Sequence, residues 1–208
     1  MIDFITLCDY LGTFAFAVSG IRLASSKQID LFGAYVIGLT TAVGGGTLRD
    51  LFLGLNPFWM TQPSYLIITF IALLYVAIFR KTVIRMSPTV FIFDAIGLGL
   101  FVIVGMDKAF SQGYPAWVAI VMGVITGSFG GLIRDIFLQE IPLIFRKDIY
   151  ALACVIGGLI YTILYNLPIP QGVAQLTSAI SVIICRILAA KFHLSLPTLK
   201  GEDSEKHP

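Results

Sequence analysis

Charge is what this sequence has least of. Only 12% of its 208 residues are Asp, Glu, Lys or Arg, and 57% are hydrophobic. A soluble domain carries about twice that share of charge, and the mean hydropathy here is +0.91, so water is not the main solvent of this chain. Histidine is nearly missing: His193 and His207 lie in or near the polar C-terminal tail. With no Ser-His-Asp set, no metal-ligand cluster and no cofactor motif, neither an enzyme nor a resident metal or cofactor is expected. The three cysteines, Cys8, Cys154 and Cys185, sit far apart in apolar stretches without a CxxC spacing. That excludes a zinc ribbon and a disulfide framework and leaves them as small core residues. A net charge of +2 is too small to suggest a nucleic-acid partner. The start, MIDFITLCDY, offers Asp3 and Asp9 in place of a basic leader, so the first apolar stretch reads as a retained span. Long polar linkers are missing too. Only the end, KGEDSEKHP, has the composition of a disordered tail, expected over 195–208.

What is present is a series of apolar stretches near the roughly 20 residues a helix needs to cross a bilayer. Seven are expected, at about Phe4–Ile21, Leu31–Leu53, Pro63–Phe79, Pro88–Met106, Pro115–Leu138, Asp148–Tyr165 and Gly172–Ala190. Turn-forming segments such as NPFWMTQP, SQGYP and NLPIPQG separate them. Basic residues gather on alternate connections: Arg22 and Lys27, then Arg80, Lys81 and Arg85, then Arg146 and Lys147, then Lys191, Lys200 and Lys206. Lys and Arg are enriched in cytoplasmic loops, which puts the N-terminus outside and the C-terminus in the cytoplasm. Trp59 and Trp117 fall where interfacial aromatic belts are expected.

The chain also repeats itself. VGGGTLRDLF (43–52) returns as SFGGLIRDIF (128–137), 85 positions later. The same offset pairs Asp9 with Asp94, Gly12 with Gly97, Phe16 with Phe101, Gly20 with Gly105 and Gly38 with Gly123. It goes on through Thr41 with Thr126, Gly46 with Gly131, Arg49 with Arg134, Asp50 with Asp135 and Pro57 with Pro142. Chance likeness between apolar helices supplies Leu and Ile matches, not Asp, Arg, Gly and Pro at one offset without a gap. Each copy holds three spans. Three is odd, so the second copy enters from the opposite side, as in inverted repeats. The expected fold is an all-α membrane domain over 1–194. Repeat one covers about 4–81, repeat two about 88–166, and an extra helix about 172–190.

Glycine is about 1 kcal/mol less favourable than alanine inside a helix. Gly44, Gly45 and Gly46, with Gly130 and Gly131, are therefore expected to kink spans two and five. Inverted repeats commonly place a permeation or binding path at such a break; close packing on small residues is the alternative. Thr40, Thr41, Thr47, Thr126 and Ser128 sit beside the glycines. Their hydroxyls suit a transient monovalent cation better than a divalent one, unless they bond their own helix. Arginine within a span seeks a partner or a wet cavity. Matching depths suggest the ion pairs Asp9–Arg49 and Asp94–Arg134, with Asp50 and Asp135 competing locally for the same arginines.

With these motifs in view, the sequence resembles prokaryotic members of the trimeric intracellular cation channel (TRIC) family, from about Phe4 to Ala190. The likeness rests on the seven-span plan, GGGTLRD, GGLIRD and the outside N-terminus. It implies a homotrimer in a prokaryotic inner membrane. It also implies one pore per subunit, lined by spans two and five, and potassium and sodium ions with membrane lipids as partners. Animal members carry a lysine-bearing segment after the glycines, where this chain has Arg49–Asp50 and Arg134–Asp135. The same bacterial sequences resemble a family described as glycine transporters. A secondary transporter of a small solute is thus the alternative, with Arg49 and Asp50 as a zwitterion clamp.

Overall fold

The computed structural model describes residues 3–79, 89–147 and 149–197. Arg80, Lys81, Arg85, Pro88, Asp148, Lys200, Lys206 and His207 lie outside the described residues. Seven helices of 15 residues or more are present among them: α1 (Phe4–Ser26), α2 (Leu31–Phe52), α3 (Ser64–Ile78), α4 (Thr89–Ser111), α5 (Ala116–Phe137), α6 (Ala151–Tyr165) and α7 (Gln171–Lys191). A four-residue helix, Phe58–Thr61, follows α2, and a 3-10 turn, Leu143–Phe145, follows α5. Five of the seven, α1, α2, α4, α5 and α7, are long and apolar enough to cross a membrane, while α3 and α6 are shorter apolar helices of 15 residues.

The helix ends differ from the sequence expectation in a regular way. α1 runs five residues past Ile21 and α4 five past Met106. The apolar runs stop at Arg22 and Asp107, but nothing there breaks a helix. The stop comes when the chain turns left-handed, at Gln28 (φ 57°) and Gly113 (φ 78°). α2 and α5 end the same way at Gly54 (φ 71°) and Gln139 (φ 54°). Left-handed residues just past the last turn are common helix stops, and glycine takes them at least cost. Asp30 opens α2 by accepting the Gly33 N–H at 2.7 Å, which satisfies one of the free donors of the first turn.

α1, α2, α4 and α5 form the centre. α1 packs on α2 and on α4, α2 packs on α5, and α4 packs on α5. α3 lies against α1 and α2, α6 against α4 and α5, and α7 covers α4 and α6. The α1–α4 contact is a T-shaped ring pair, Phe16 and Phe101, 5.1 Å apart. Phe16 lies against Gly97, and Phe101 lies 2.7 Å from where a Gly12 Cβ would stand. Large apolar side chains such as Phe32, Trp117 and Ile163 cover the outside. Leu196, expected in the tail, instead donates its N–H to the Lys147 carbonyl at 3.1 Å.

The glycine runs do not interrupt the helices. Helical structure continues through Gly44–Gly46 and through Gly130–Gly131. Their place is explained by approach. A Cβ on Gly45 would collide with the Thr126 carbonyl oxygen, and one on Gly130 with the Thr41 carbonyl oxygen. Thr41 and Gly45 are four residues apart on α2, as Thr126 and Gly130 are on α5, which is the small-xxx-small spacing that lets two helix backbones touch.

Gly45→Ala and Gly130→Ala are each expected to destabilise the protein by about 1–3 kcal/mol, the range for overpacking a tight site, although alanine is the better helix former. Gly172→Ala, whose methyl would meet Phe4 at 3.9 Å, should leave thermal unfolding in detergent unchanged.

Candidate functional site

The contact of α2 with α5 has a charged cluster at each end. At the end of α2, Arg49 donates to Asp50 Oδ1 from Nε at 2.8 Å, with Nη2 also 2.8 Å away. Asp50 Oδ2 accepts the Phe58 N–H at 2.9 Å, so this carboxylate also fixes the start of the short helix that follows. The end of α5 repeats the device: Arg134 Nε donates to Asp135 Oδ1 at 2.8 Å, and Asp135 Oδ2 accepts the Leu143 N–H at 3.0 Å. All four side chains are buried.

The long-range partners differ between the ends. Arg134 Nη1 reaches Asp94 on α4 at 2.6 Å and Ser19 on α1 at 2.8 Å. The expected Asp94–Arg134 pair is therefore formed. The expected Asp9–Arg49 pair is not formed among the described residues. Asp9 Oδ2 instead accepts the Tyr65 hydroxyl at 2.5 Å. Two facts account for this. Asp50, next in the chain, already holds Arg49. The position 85 residues after Ser19 is Val104, which offers Arg49 no hydroxyl.

A cavity of about 190 Å³ opens at the Asp9 end, lined among others by Asp9, Arg49, Gln62, Tyr65, Asp107 and Lys108. Its lining carries two carboxylates, Asp9 and Asp107, and two cations, Arg49 and Lys108. Asp107 is held by Tyr161, Gln171 and Gln175, whose donors lie 3.2, 2.8 and 3.1 Å from its Oδ1. A second cavity, about 260 Å³, opens at the Asp94 end, with Phe91, Asp94, Ile149, Arg186 and Ala190 among its lining residues. Arg186 donates to the Ile149 carbonyl at 2.7 Å and stacks over Tyr150 and Phe91 at 4.9 and 5.2 Å.

Between the two charged clusters α2 and α5 touch at the Gly45–Thr126 and Gly130–Thr41 contacts. Gly44 faces Ile133, Gly46 faces the Phe58 ring and Gly131 faces the Tyr150 hydroxyl. The hydroxyls expected beside a path each donate to their own helix. Thr41 donates to Ile37, Thr126 to Met122, Ser128 to Val124 and Thr47 to Val43, at 2.6–2.7 Å. Thr40 does likewise toward Val36 at 2.9 Å. Their oxygens keep lone pairs for another donor or a cation, and Thr47 uses one to accept the Trp59 indole N–H at 3.0 Å. Trp59 is thus tied to α2, whereas Trp117 is largely exposed.

Sequence reading passed over Tyr65, Tyr150, Arg186, Asp107 and Gln175. Signals for three of them were there. Tyr65 and Tyr150 obey the offset of 85, and Arg186 is a lone arginine in an apolar helix, like Arg49 and Arg134. Away from the spans, Lys27 meets Glu140 at 2.7 Å and joins the α1–α2 connection to the α5–α6 connection. The hydrogen bond and charge of Lys27 hold the Glu140 carboxyl below the usual glutamate range. That contact contributes above about pH 4.3, the ordinary glutamate pKa, and fades as pH falls through the lowered value.

Removing one partner from a buried ion pair costs about 3–5 kcal/mol, so Asp94→Asn should destabilise the protein by that order. Asp9→Asn keeps an acceptor for Tyr65 and should cost about 1 kcal/mol, the value of an ordinary hydrogen bond. Denaturant unfolding in detergent measures both, and equal losses would contradict the different wiring of the two ends.

The profile of the family described as Glycine transporter matches the chain twice, over residues 6–81 and 91–166. The inner membrane protein YadS of Escherichia coli is 39% identical over 94% of this chain and 96% of its own length. The structure of the TRIC trimeric intracellular cation channel orthologue from Rhodobacter sphaeroides superposes with a TM-score of 0.86. It is 32% identical and covers 91% of this chain and 98% of its own. A second solved structure, described as the basis for conductance through TRIC cation channels, gives 0.85 and 36% identity over 96% of this chain and 99% of its own. The chain therefore belongs to the family described as Glycine transporter and is a prokaryotic member of the trimeric intracellular cation channel (TRIC) family.

Proposed function

We propose that this protein is a potassium-permeable channel for monovalent cations, a homotrimer in a prokaryotic inner membrane with one path per subunit. The observation that carries the reading is the placement of two buried Arg–Asp clusters, Arg49–Asp50 and Arg134–Asp135, at opposite ends of one helix crossing, each beside a cavity. The path runs from the Asp9 cavity, along Thr41, Thr47, Thr126 and Ser128 at the α2–α5 contact, to the Asp94 cavity. The relatives support it: the solved ones are described as cation channels, and the Escherichia coli one as an inner membrane protein.

The architecture behind this reading is three helices, three helices and one, with the halves inverted in the membrane. Repeat one is placed at about 4–81, repeat two at about 88–166 and the extra helix at about 172–190. The N-terminus lies outside, and the tail lies in the cytoplasm. Two matches of one family profile at an offset of 85 support the duplication. In this form Gly45 and Gly130 meet backbone carbonyls of the opposing helix, with the Ile133 side chain packed on Gly44 beside them. Opening parts the two helices there, and a bend at Gly44–Gly46 and Gly130–Gly131 is the cheapest way to do so, because glycine resists backbone change least. At the Asp9 mouth Arg49 is already paired with Asp50, which leaves Asp9 and Asp107 against Lys108, a balance that favours cations. Bound ions are transient, held by hydroxyl and carbonyl oxygens, with no resident metal or cofactor.

A secondary transporter of a small zwitterion such as glycine is the second reading. The family description favours it, and so does a crossing closed between two cavities, since inverted repeats also serve alternating access. Proteoliposomes separate the two. Loaded with KCl and diluted into a potassium-free medium, they should release potassium at a rate that external glycine does not alter. Saturable glycine uptake without potassium release would replace the channel reading by the transporter one.

A further inference from the structure

The two ends of the α2–α5 crossing are made of the same residues and wired differently. At one end Tyr65 donates to Asp9 and Arg49 is left to Asp50. At the other, Asp94 takes Arg134. Tyr150, 85 positions after Tyr65, makes no hydrogen bond, and neither does Asp94 Oδ2, although both atoms are buried. Hydroxyl and carboxylate are close neighbours. The Tyr150 oxygen lies 2.6 Å from the point where a Gly131 Cβ would stand, and Asp94 Oδ1 and Arg134 Nη2 lie 3.6 Å from the same point. Two residues that the offset of 85 does not reproduce distinguish the ends. Ser19 holds Arg134, and Arg186, on the helix outside the duplication, stacks over the Tyr150 ring at 4.9 Å while anchored to the Ile149 carbonyl. Arg186 Nε is a third buried atom without a hydrogen bond, and the 260 Å³ cavity beside it and Asp94 leaves room for these side chains to shift.

We propose that Tyr150 is the alternative partner of Asp94, and that Arg186 is the positioning residue that holds it off. The ends then show the two states of one device: tyrosine-bound at Asp9 and arginine-bound at Asp94. When Asp94 passes from Arg134 to Tyr150, two buried orphan atoms gain a partner. Arg134 stays held by Asp135 and Ser19, much as Arg49 is held by Asp50. The exchange unfastens α4 from α5 at that end of the path. Arg186 loads the balance toward the fastened state, because its stacking on the ring is lost when the ring turns. This inference rests on the channel reading for its consequence in conduction, but not for the exchange itself.

Two readouts keep those apart. In protein labelled with 3-fluorotyrosine and placed in lipid nanodiscs, Tyr150→Phe and Tyr65→Phe assign the two ¹⁹F resonances by their loss. Arg186→Gln should move the Tyr150 resonance toward that of Tyr65, and Asp94→Asn in the same background should undo the shift. Arg186→Lys, which keeps the charge and a donor for Ile149 but not the flat stacking group, should move it in the same direction and serves if the glutamine variant does not fold. In planar bilayers Arg186→Gln should raise open probability about tenfold, within the range set by losing one buried cation–π contact. The double variant Arg186→Gln, Tyr150→Phe should behave as Tyr150→Phe alone. A Tyr150 resonance unmoved in both Arg186 variants, or one that moves equally with Asp94→Asn present, overturns the exchange. Wild-type protein that carries no current while the resonance behaves as expected overturns the channel reading and leaves the exchange standing.

Discussion

The structure depends on a contact in which glycine lets backbone meet backbone. α2 and α5 touch where Gly45 meets the Thr126 carbonyl and Gly130 meets the Thr41 carbonyl. Any larger residue at either glycine would push the helices apart and, with them, the charged clusters at the helix ends. The rest of the centre follows from that approach. Thr41 and Thr126 turn their hydroxyls back to their own helices, against Gly20 of α1 and Gly105 of α4. The outer helices of each half then close around the pair. Glycine therefore serves packing in this structure, and in the proposed opening it serves movement. Both uses follow from the missing Cβ.

Burying arginine and aspartate in an apolar bundle costs free energy unless every charge is met. Here Arg49 and Arg134 each meet the aspartate next to them in sequence, and Asp50 and Asp135 each spend the second oxygen on the backbone of the segment that follows. The Arg–Asp dipeptide thus neutralises itself and ties off the helix. It leaves the arginine's remaining donors for a distant partner, and that is where the two ends part: Asp94 and Ser19 hold Arg134, while Asp9 goes to Tyr65. α7 lies outside the two stretches that the family profile matches, and it brings Arg186 to one end and Gln171 and Gln175 to Asp107 at the other. A symmetric scaffold is made unequal at its ends by one helix and by single exchanges such as Ser19 against Val104.

Much of this was legible in the sequence, because the offset of 85 carries polar residues whose pairing chance does not supply. The helices lie where the apolar runs put them, and Asp94 meets Arg134 as depth matching suggests. The pairing of Asp9 with Arg49 failed because depth says which residues are level, not which competitor stands nearer. Tyr65 was such a competitor, and it comes from a different helix. A kink at the glycine runs is what helix propensity, a local quantity, suggests; helical structure continues through them, and their close approach is a separate matter. Their reason lies on the opposing helix, in carbonyl oxygens that sequence does not point to. α1 and α4 each run five residues past the expected end, since charge ends an apolar run without ending a helix, whereas α2, α3 and α5 end within one residue of it.

The most direct test of a cation path along α2 and α5 is the reversal potential of single-channel currents from the purified protein in a planar bilayer under a tenfold KCl gradient. The account predicts discrete steps that reverse near the potassium potential, about 59 mV from zero for a monovalent ion. Steps reversing on the chloride side, or a silent bilayer from protein that takes up glycine in vesicles, would contradict it.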